Sequence, residues 1–191
     1  MEKWRLFVAL ELPKGVRESL SELQSKLRKS GADVRWTRPE GIHLTLKFLG
    51  PVEPELVDPL AEAMIRAAQG AKAMSVEAAG IGGFPNLRRP RVIWAGLMGE
   101  VDPILDLQLA LEREIGPMGF PPENRPFSPH LTLGRVNSPK GMNRLTECIE
   151  AGSAWTSGPF ILDRLVLFRS ILYPSGAAYS ALREVGLLAE G

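Results

Sequence analysis

The chain holds two histidines, and each opens the same four-residue word: His43-Leu44-Thr45-Leu46 and His130-Leu131-Thr132-Leu133. Given one histidine, matching the next three residues by chance has odds on the order of one in a thousand from ordinary residue usage. A β-strand sends successive side chains to opposite faces. Each word therefore reads as a strand that shows a histidine and a threonine on one face and sinks two leucines into the core. Imidazole changes charge near neutral pH, so it serves as acid or base. A hydroxyl two residues further on the same face can donate to an anionic oxygen. Two such strands facing one cleft supply an acid, a base and two donors, which is the equipment of metal-free phosphoryl chemistry.

The remaining pattern reads as a frame for these strands, and it repeats. Arg5-Leu6-Phe7-Val8-Ala9 and Arg91-Val92-Ile93-Trp94-Ala95 both read as buried strands, with Trp94 expected in the core. A helix follows each: Val16, Leu20, Leu23 and Leu27 share one face before Gly31, and Ile104, Leu107, Leu111 and Ile115 share one face before Gly116. Each helix leads to a His-Leu-Thr-Leu strand. Further helices are expected over residues 54–68 and 141–151, further strands over 73–79 and 160–168, and a last strand over 177–183. The Gly- and Pro-rich segments 80–90 and 116–129 read as loops rimming the cleft. The expected organisation is one domain spanning 1–191, built from two intertwined duplicated lobes with repeat units of about 4–80 and 90–184. The fold class is α/β (α+β): two pseudo-symmetric β-sheet lobes with outer helices around a central cleft.

Bulk composition narrows the function. At 191 residues the chain suits one domain. It is 45% hydrophobic and 24% charged with net charge +1, so it lacks the overall field of a protein that grips long nucleic acid non-specifically. Any anion site must be a local basic patch. The single cysteine, Cys148, forbids an internal disulfide and reads as a buried thiol on a helix. The start does not read as a signal peptide, and no run reaches the ~18 apolar residues of a membrane span. The expectation is a cytoplasmic monomer with no membrane association.

Rival chemistries lack their motifs. Two histidines without H-x-H or H-E-x-x-H spacing leave a zinc site short of ligands. There is no G-x-S-x-G elbow and no phosphate-binding P-loop. The expected cofactor and metal content is therefore none. A non-catalytic module that cradles a terminal phosphate stays open on the residues alone.

Taken with its flanks, the paired word resembles the two-histidine phosphoesterases, specifically the RNA 2′,3′-cyclic phosphodiesterases of the LigT type, formerly called 2′-5′ RNA ligases. The resemblance runs through R-L-F-V-A-L-E-L-P, H-L-T-L-K-F-L-G, G-G-F-P with R-P-R-V-I-W-A-G, R-P-F-S-P-H-L-T-L-G-R, and L-F-R-S-I-L-Y-P-S-G-A-A-Y. It implies a bilobal fold with both motifs in the cleft and no required metal. It also implies conversion of 2′,3′-cyclic phosphate RNA ends to 2′-phosphomonoesters, with tRNA fragments among the candidate partners. Run with an alcohol, the same machinery would give weak 2′-5′ ligation. By the resemblance His43 is the proton donor and His130 the acceptor, although the symmetric motifs leave the two roles interchangeable.

Thr45 and Thr132 are the expected phosphate donors. The resemblance adds Arg135, but strict alternation puts it opposite His130 unless Gly134 bulges or ends the strand. Lys47 shares face parity with His43 and Thr45. Arg88, Arg89, Arg91 and Arg125 are candidates for adjoining RNA phosphates, and Phe84 is the candidate for stacking on a base. The same four His and Thr residues would equally serve a 2′-5′ oligonucleotide phosphodiesterase, or a cyclic-phosphate hydrolase acting on ADP-ribose-derived substrates.

Overall fold

Apolar side chains on alternate positions of two strand sets, and on one stripe of each helix, settle where the chain folds back on itself. The computed structural model describes residues 2–173 and 176–189. In chain order the elements are β1 (Trp4–Leu10), α1 (Lys14–Arg28), β2 (Val34–Trp36), β3 (Leu44–Val52), α2 (Val57–Ala67) and β4 (Met74–Phe84). They continue as β5 (Val92–Gly99), α3 (Val101–Ile115), β6 (Leu131–Val136), α4 (Met142–Ala151), β7 (Thr156–Leu162), β8 (Arg164–Tyr173) and β9 (Gly176–Gly186). The expected apolar stripes of α1 and α3 are buried, from Val16 to Leu27 and from Ile104 to Ile115.

Two antiparallel sheets result, ordered β3-β1-β8-β9 and β2-β6-β5-β4-β7. Each contains one His-Leu-Thr-Leu strand, and each borrows two strands from the other half of the chain. β1 lies between β3 and β8, just as β5 lies between β6 and β4. The expected α/β class with two sheet lobes and outer helices is what the chain adopts. One continuous core joins both sheets, with Leu44, Leu46, Leu131 and Leu133 all within it. The leucines of both words thus face inward as alternation requires.

Four expectations change. Residues 160–168 are not one strand: β7 pairs with β4, the chain switches sheets at Asp163, and β8 pairs with β1. Leu162 and Leu165 are fully buried on either side of the switch, so the apolar run carries no sign of it. Residues 80–84 belong to β4 rather than to a loop. Their glycines admit a neighbour: a Cβ on Gly82 would lie 2.1 Å from Trp94 Cζ2, the close approach for which a strand uses glycine. Trp94 itself is half-buried, tilted against Phe84, and not enclosed in the core. Cys148 is likewise half-buried, packed on the core's edge.

The Gly82–Trp94 contact yields a stability test. Gly82→Ala overpacks this contact and is expected to cost about 1–3 kcal/mol in urea unfolding. The loss should shrink when Trp94→Ala is made in the same chain, because the clashing ring is gone.

Candidate functional site

Both histidines sit one residue ahead of their strands and are held the same way. His130 Nδ1 lies 2.7 Å from the Ser128 carbonyl oxygen. A carbonyl only accepts, so Nδ1 carries the hydrogen, and in the neutral ring Nε2 is the nitrogen with the lone pair. The His43 ring bonds to the backbone of Gly41, again two residues earlier, and this bond favours the protonated ring. Gly41 has no room for a side chain, since a Cβ there would lie 2.8 Å from Tyr179 Cε2.

The environments of the two rings differ. His43 is only 7% exposed. It packs 4.3 Å from Phe168 and 5.9 Å from Phe7, with Tyr179 edge-on at 5.3 Å, all distances between ring centroids. Burial in this aromatic box, helped by the Arg17 charge, lowers its pKa to about 4, against the opposing pull of Glu11 and the Gly41 bond. His43 is therefore neutral at pH 7 in the free protein. His130 is more open, with Phe84 edge-on at 4.9 Å.

His43, Thr45, His130, Thr132 and Arg135 line a single cavity of about 500 Å³. Arg125 and Phe84 reach the same cavity. The structure brings these seven expected residues together. Lys47 and Arg88 are not among its lining residues.

A one-residue bulge in each strand explains both Arg135 and Lys47. On β6, Thr132 faces Trp94 and Gly134 faces Ile93, so Leu133 is the extra residue. On β3, Thr45 faces Ala9 and Lys47 faces Val8, so Leu46 is the extra residue. A bulge shifts the face parity of everything after it. Arg135 accordingly turns into the cleft. The bulge falls at Leu133, with Gly134 still paired, rather than at Gly134 as expected. Lys47 turns away and is buried at 3% exposure, paired with Glu112 and donating to the Pro121 carbonyl oxygen at 3.3 Å. Phe48 takes the place that parity gave to Lys47, lining the cleft at 57% exposure. Arg88 lies on an exposed loop, where its backbone N–H donates to the Asn86 side chain.

Sequence reasoning missed the supports. Buried Gln24 on α1 donates from Nε2 to the carbonyl oxygens of Leu133 and Thr37, both at 2.8 Å, and so ties the bulge to the segment after β2. Its place on the apolar face of α1 was the one available signal. Glu112 and Gln108 also border the cleft; Gln108 Nε2 donates to Glu112 Oε1 at 2.9 Å, which satisfies the carboxylate that neutralises Lys47. Among the described residues, no three His, Cys, Asp or Glu side chains gather as a metal-binding group.

Comparison with known proteins places this cleft. The family described as LigT like Phosphoesterase matches residues 10–94 and again residues 97–179. The chain belongs to the LigT-like phosphoesterases. This LigT-like phosphoesterase is 35% identical over 178 residues to the RNA 2′,3′-cyclic phosphodiesterase of Methanothermobacter thermautotrophicus, covering 93% of this chain and 96% of the relative. The RNA 2′,3′-cyclic phosphodiesterase of Thermotoga maritima is 33% identical over 181 residues, covering 94% of each chain. E. coli LigT, in a crystal structure complexed with 3′-AMP, superposes with a TM-score of 0.77 at 25% identity, covering 97% of this chain and 99% of that one.

Burial of His43 has a thermodynamic consequence. The unfolded chain protonates this ring near pH 6.5, whereas the folded protein resists doing so until about pH 4. The unfolded state thus binds the extra proton, and stability falls as pH drops through that window. The expected loss between pH 6.5 and 4 is roughly 3 kcal/mol at most, read from urea unfolding at stepped pH. His43→Gln should flatten this part of the curve.

Proposed function

We propose that this LigT-like phosphoesterase opens RNA 2′,3′-cyclic phosphate ends by hydrolysis, leaving 2′-phosphomonoesters, with two histidines handling the protons and no metal required. The observation that carries the reading is the convergence of both His-x-Thr pairs and Arg135 on one cavity. The names of the relatives from Methanothermobacter thermautotrophicus and Thermotoga maritima supply the substrate class.

The chemistry follows from what each group can hold. Water adds to phosphorus in line with the ribose O3′. Its proton passes to a ring nitrogen bearing a lone pair, and Nε2 of His130 is such an atom. As the P–O3′ bond breaks, His43 gives a proton to O3′, and the phosphate stays on O2′. Each transfer is typically worth about 10² to 10⁴ in rate. The donor role asks His43 to be charged, which its aromatic box opposes in the free protein. A phosphodiester carries one negative charge, and its arrival against the ring favours the imidazolium, so the proton enters with the substrate. Thr45, Thr132 and Arg135 then donate to the non-bridging oxygens, where charge builds in the transition state. A 5′-hydroxyl in place of water would give a 2′-5′ linkage by the same steps.

Phe84 makes an edge contact with His130 and packs on Trp94, so its first duty is to fix that ring; stacking on a base comes second. Arg125 lines the cleft near His130, where an RNA phosphate could reach it. The chain organisation we propose is that of two intertwined repeat units, about 4–80 and 90–184. The exchange of β4 and β8 between sheets supports it. Among the described residues no helix is long and apolar enough to cross a membrane. We infer a cytoplasmic monomer acting on RNA ends, tRNA fragments included.

Purified protein incubated in EDTA with an oligoribonucleotide ending in a 2′,3′-cyclic phosphate is expected to yield a 2′-phosphate, identified by chromatography against both isomers. His43→Ala and His130→Ala should each lower turnover by about 10² to 10⁴ while the oligonucleotide still binds. Turnover that survives both substitutions rules out the two-histidine mechanism. Weakened binding of a product oligonucleotide, with no reaction by the wild type, would mark a non-catalytic RNA-end module instead.

A further inference from the structure

Strand β2 is only three residues long, yet it adds a charge to the cleft face beyond the cavity. Its register on β6 pairs Val34 with Val136, Arg35 with Arg135, and Trp36 with Gly134. Val34 and Trp36 pack on the core, and Trp36 also lies under the Arg28 guanidinium of α1. Alternation therefore puts Arg35 on the opposite face, the one Arg135 shows to the cleft. The docking is tight. A Cβ on Gly134 would come within 2.6 Å of Val34 Cγ1, so the glycine after the bulge is what lets β2 lie flat beside β6.

Two arginines thus occupy directly opposite positions on one sheet face. Like charges in this position destabilise a strand pair. Surface arginines usually relieve such a clash with a carboxylate, but among the described residues none of the ion pairs includes Arg35 or Arg135. The pairing continues across the sheet to Val92, which with Arg135 lines the cavity. Arg35 is exposed and sits one strand further out, toward the sheet edge. Neighbouring strands lie about 4.8 Å apart, and the long side chains can splay wider. A pair of adjacent phosphates meets such an arrangement, one on each arginine.

We propose that Arg35 is a second phosphate-binding position, taking the internucleotide phosphate on the 5′ side of the terminal nucleoside while Arg135 serves the cyclic phosphate. The inference rests on the function proposed above and narrows its substrate class. The enzyme is built for oligonucleotide ends, and a lone nucleoside 2′,3′-cyclic phosphate uses only part of its site.

The test compares two substrates, a mononucleoside 2′,3′-cyclic phosphate and a trinucleotide ending in one, on wild type, Arg35→Gln and Arg35→Lys. Arg35→Gln should lower kcat/KM for the trinucleotide about tenfold and leave the mononucleotide within about twofold. The dependence of the trinucleotide's log kcat/KM on log salt should become shallower by about 0.7, the share of one phosphate contact on a single strand. Arg35→Lys keeps the charge and should recover most of the loss. Unfolding midpoints check that the exposed substitutions leave the fold intact. Equal losses on both substrates would overturn the proposal, because Arg35 would then act through Arg135; so would no loss on either. Wild-type protein that opens neither substrate would overturn the hydrolytic function, and this inference with it.

Discussion

The hydrogen-bonded seams between β1 and β8 and between β5 and β4 carry the site. Each seam joins a strand from one half of the chain to a strand from the other, so the two halves cannot separate without breaking a ladder. The histidine strands β3 and β6 hang on the other sides of β1 and β5. The place of each in its own sheet is thereby set by backbone pairing and not by loops. The proposed acid and base need this rigidity, because proton transfer demands that both rings reach the same phosphate within hydrogen-bond distance. The core beneath is shared by both sheets, and its packing holds the two strands across the cleft from each other.

Within that frame, one extra residue just after each threonine chooses which side chains meet the substrate. Leu46 and Leu133 each push the chain out of step, and the positions that follow exchange faces. The first strand thereby sends Phe48 to the cleft and Lys47 inward to Glu112. The second sends Arg135 to the cleft and Gly134 toward β2. The two halves share a backbone plan but present different chemistry on it, an aromatic ring in one and a guanidinium in the other. Their histidines differ as well: one is walled by Phe7, Phe168 and Tyr179, the other open to the cavity. A near-symmetric scaffold thus holds its two proton carriers in unlike surroundings.

Repetition and alternation made the His and Thr positions, the helix stripes and most strands legible before any coordinates, since each is a local pattern with a fixed period. What escaped was set by partners distant in sequence. Alternation counts Lys47 onto the cleft face, and only pairing with β1 reveals the bulge that reverses it. The change of sheet at Asp163 lies inside a continuous apolar run. The glycines at 80–83 look like a loop until Trp94 is laid across Gly82. β2 is too short to show a period, so the facing of Arg35 and Arg135 was out of reach. Gln24 sits among the leucines of α1, and its worth depends on two carbonyl oxygens, one of them more than a hundred residues away.

Because the chain has only two histidines, their ring Hε1 protons give two proton NMR signals to follow. Following both through pH, without and with a saturating nucleoside 2′-phosphate, tests the shared cleft directly. The account predicts that His43 titrates near pH 4 in the free protein, that both signals shift when the nucleotide binds, and that the His43 midpoint then rises. A His43 signal that titrates near pH 6.5 in the free protein, or a nucleotide that moves only one of the two signals, would contradict it.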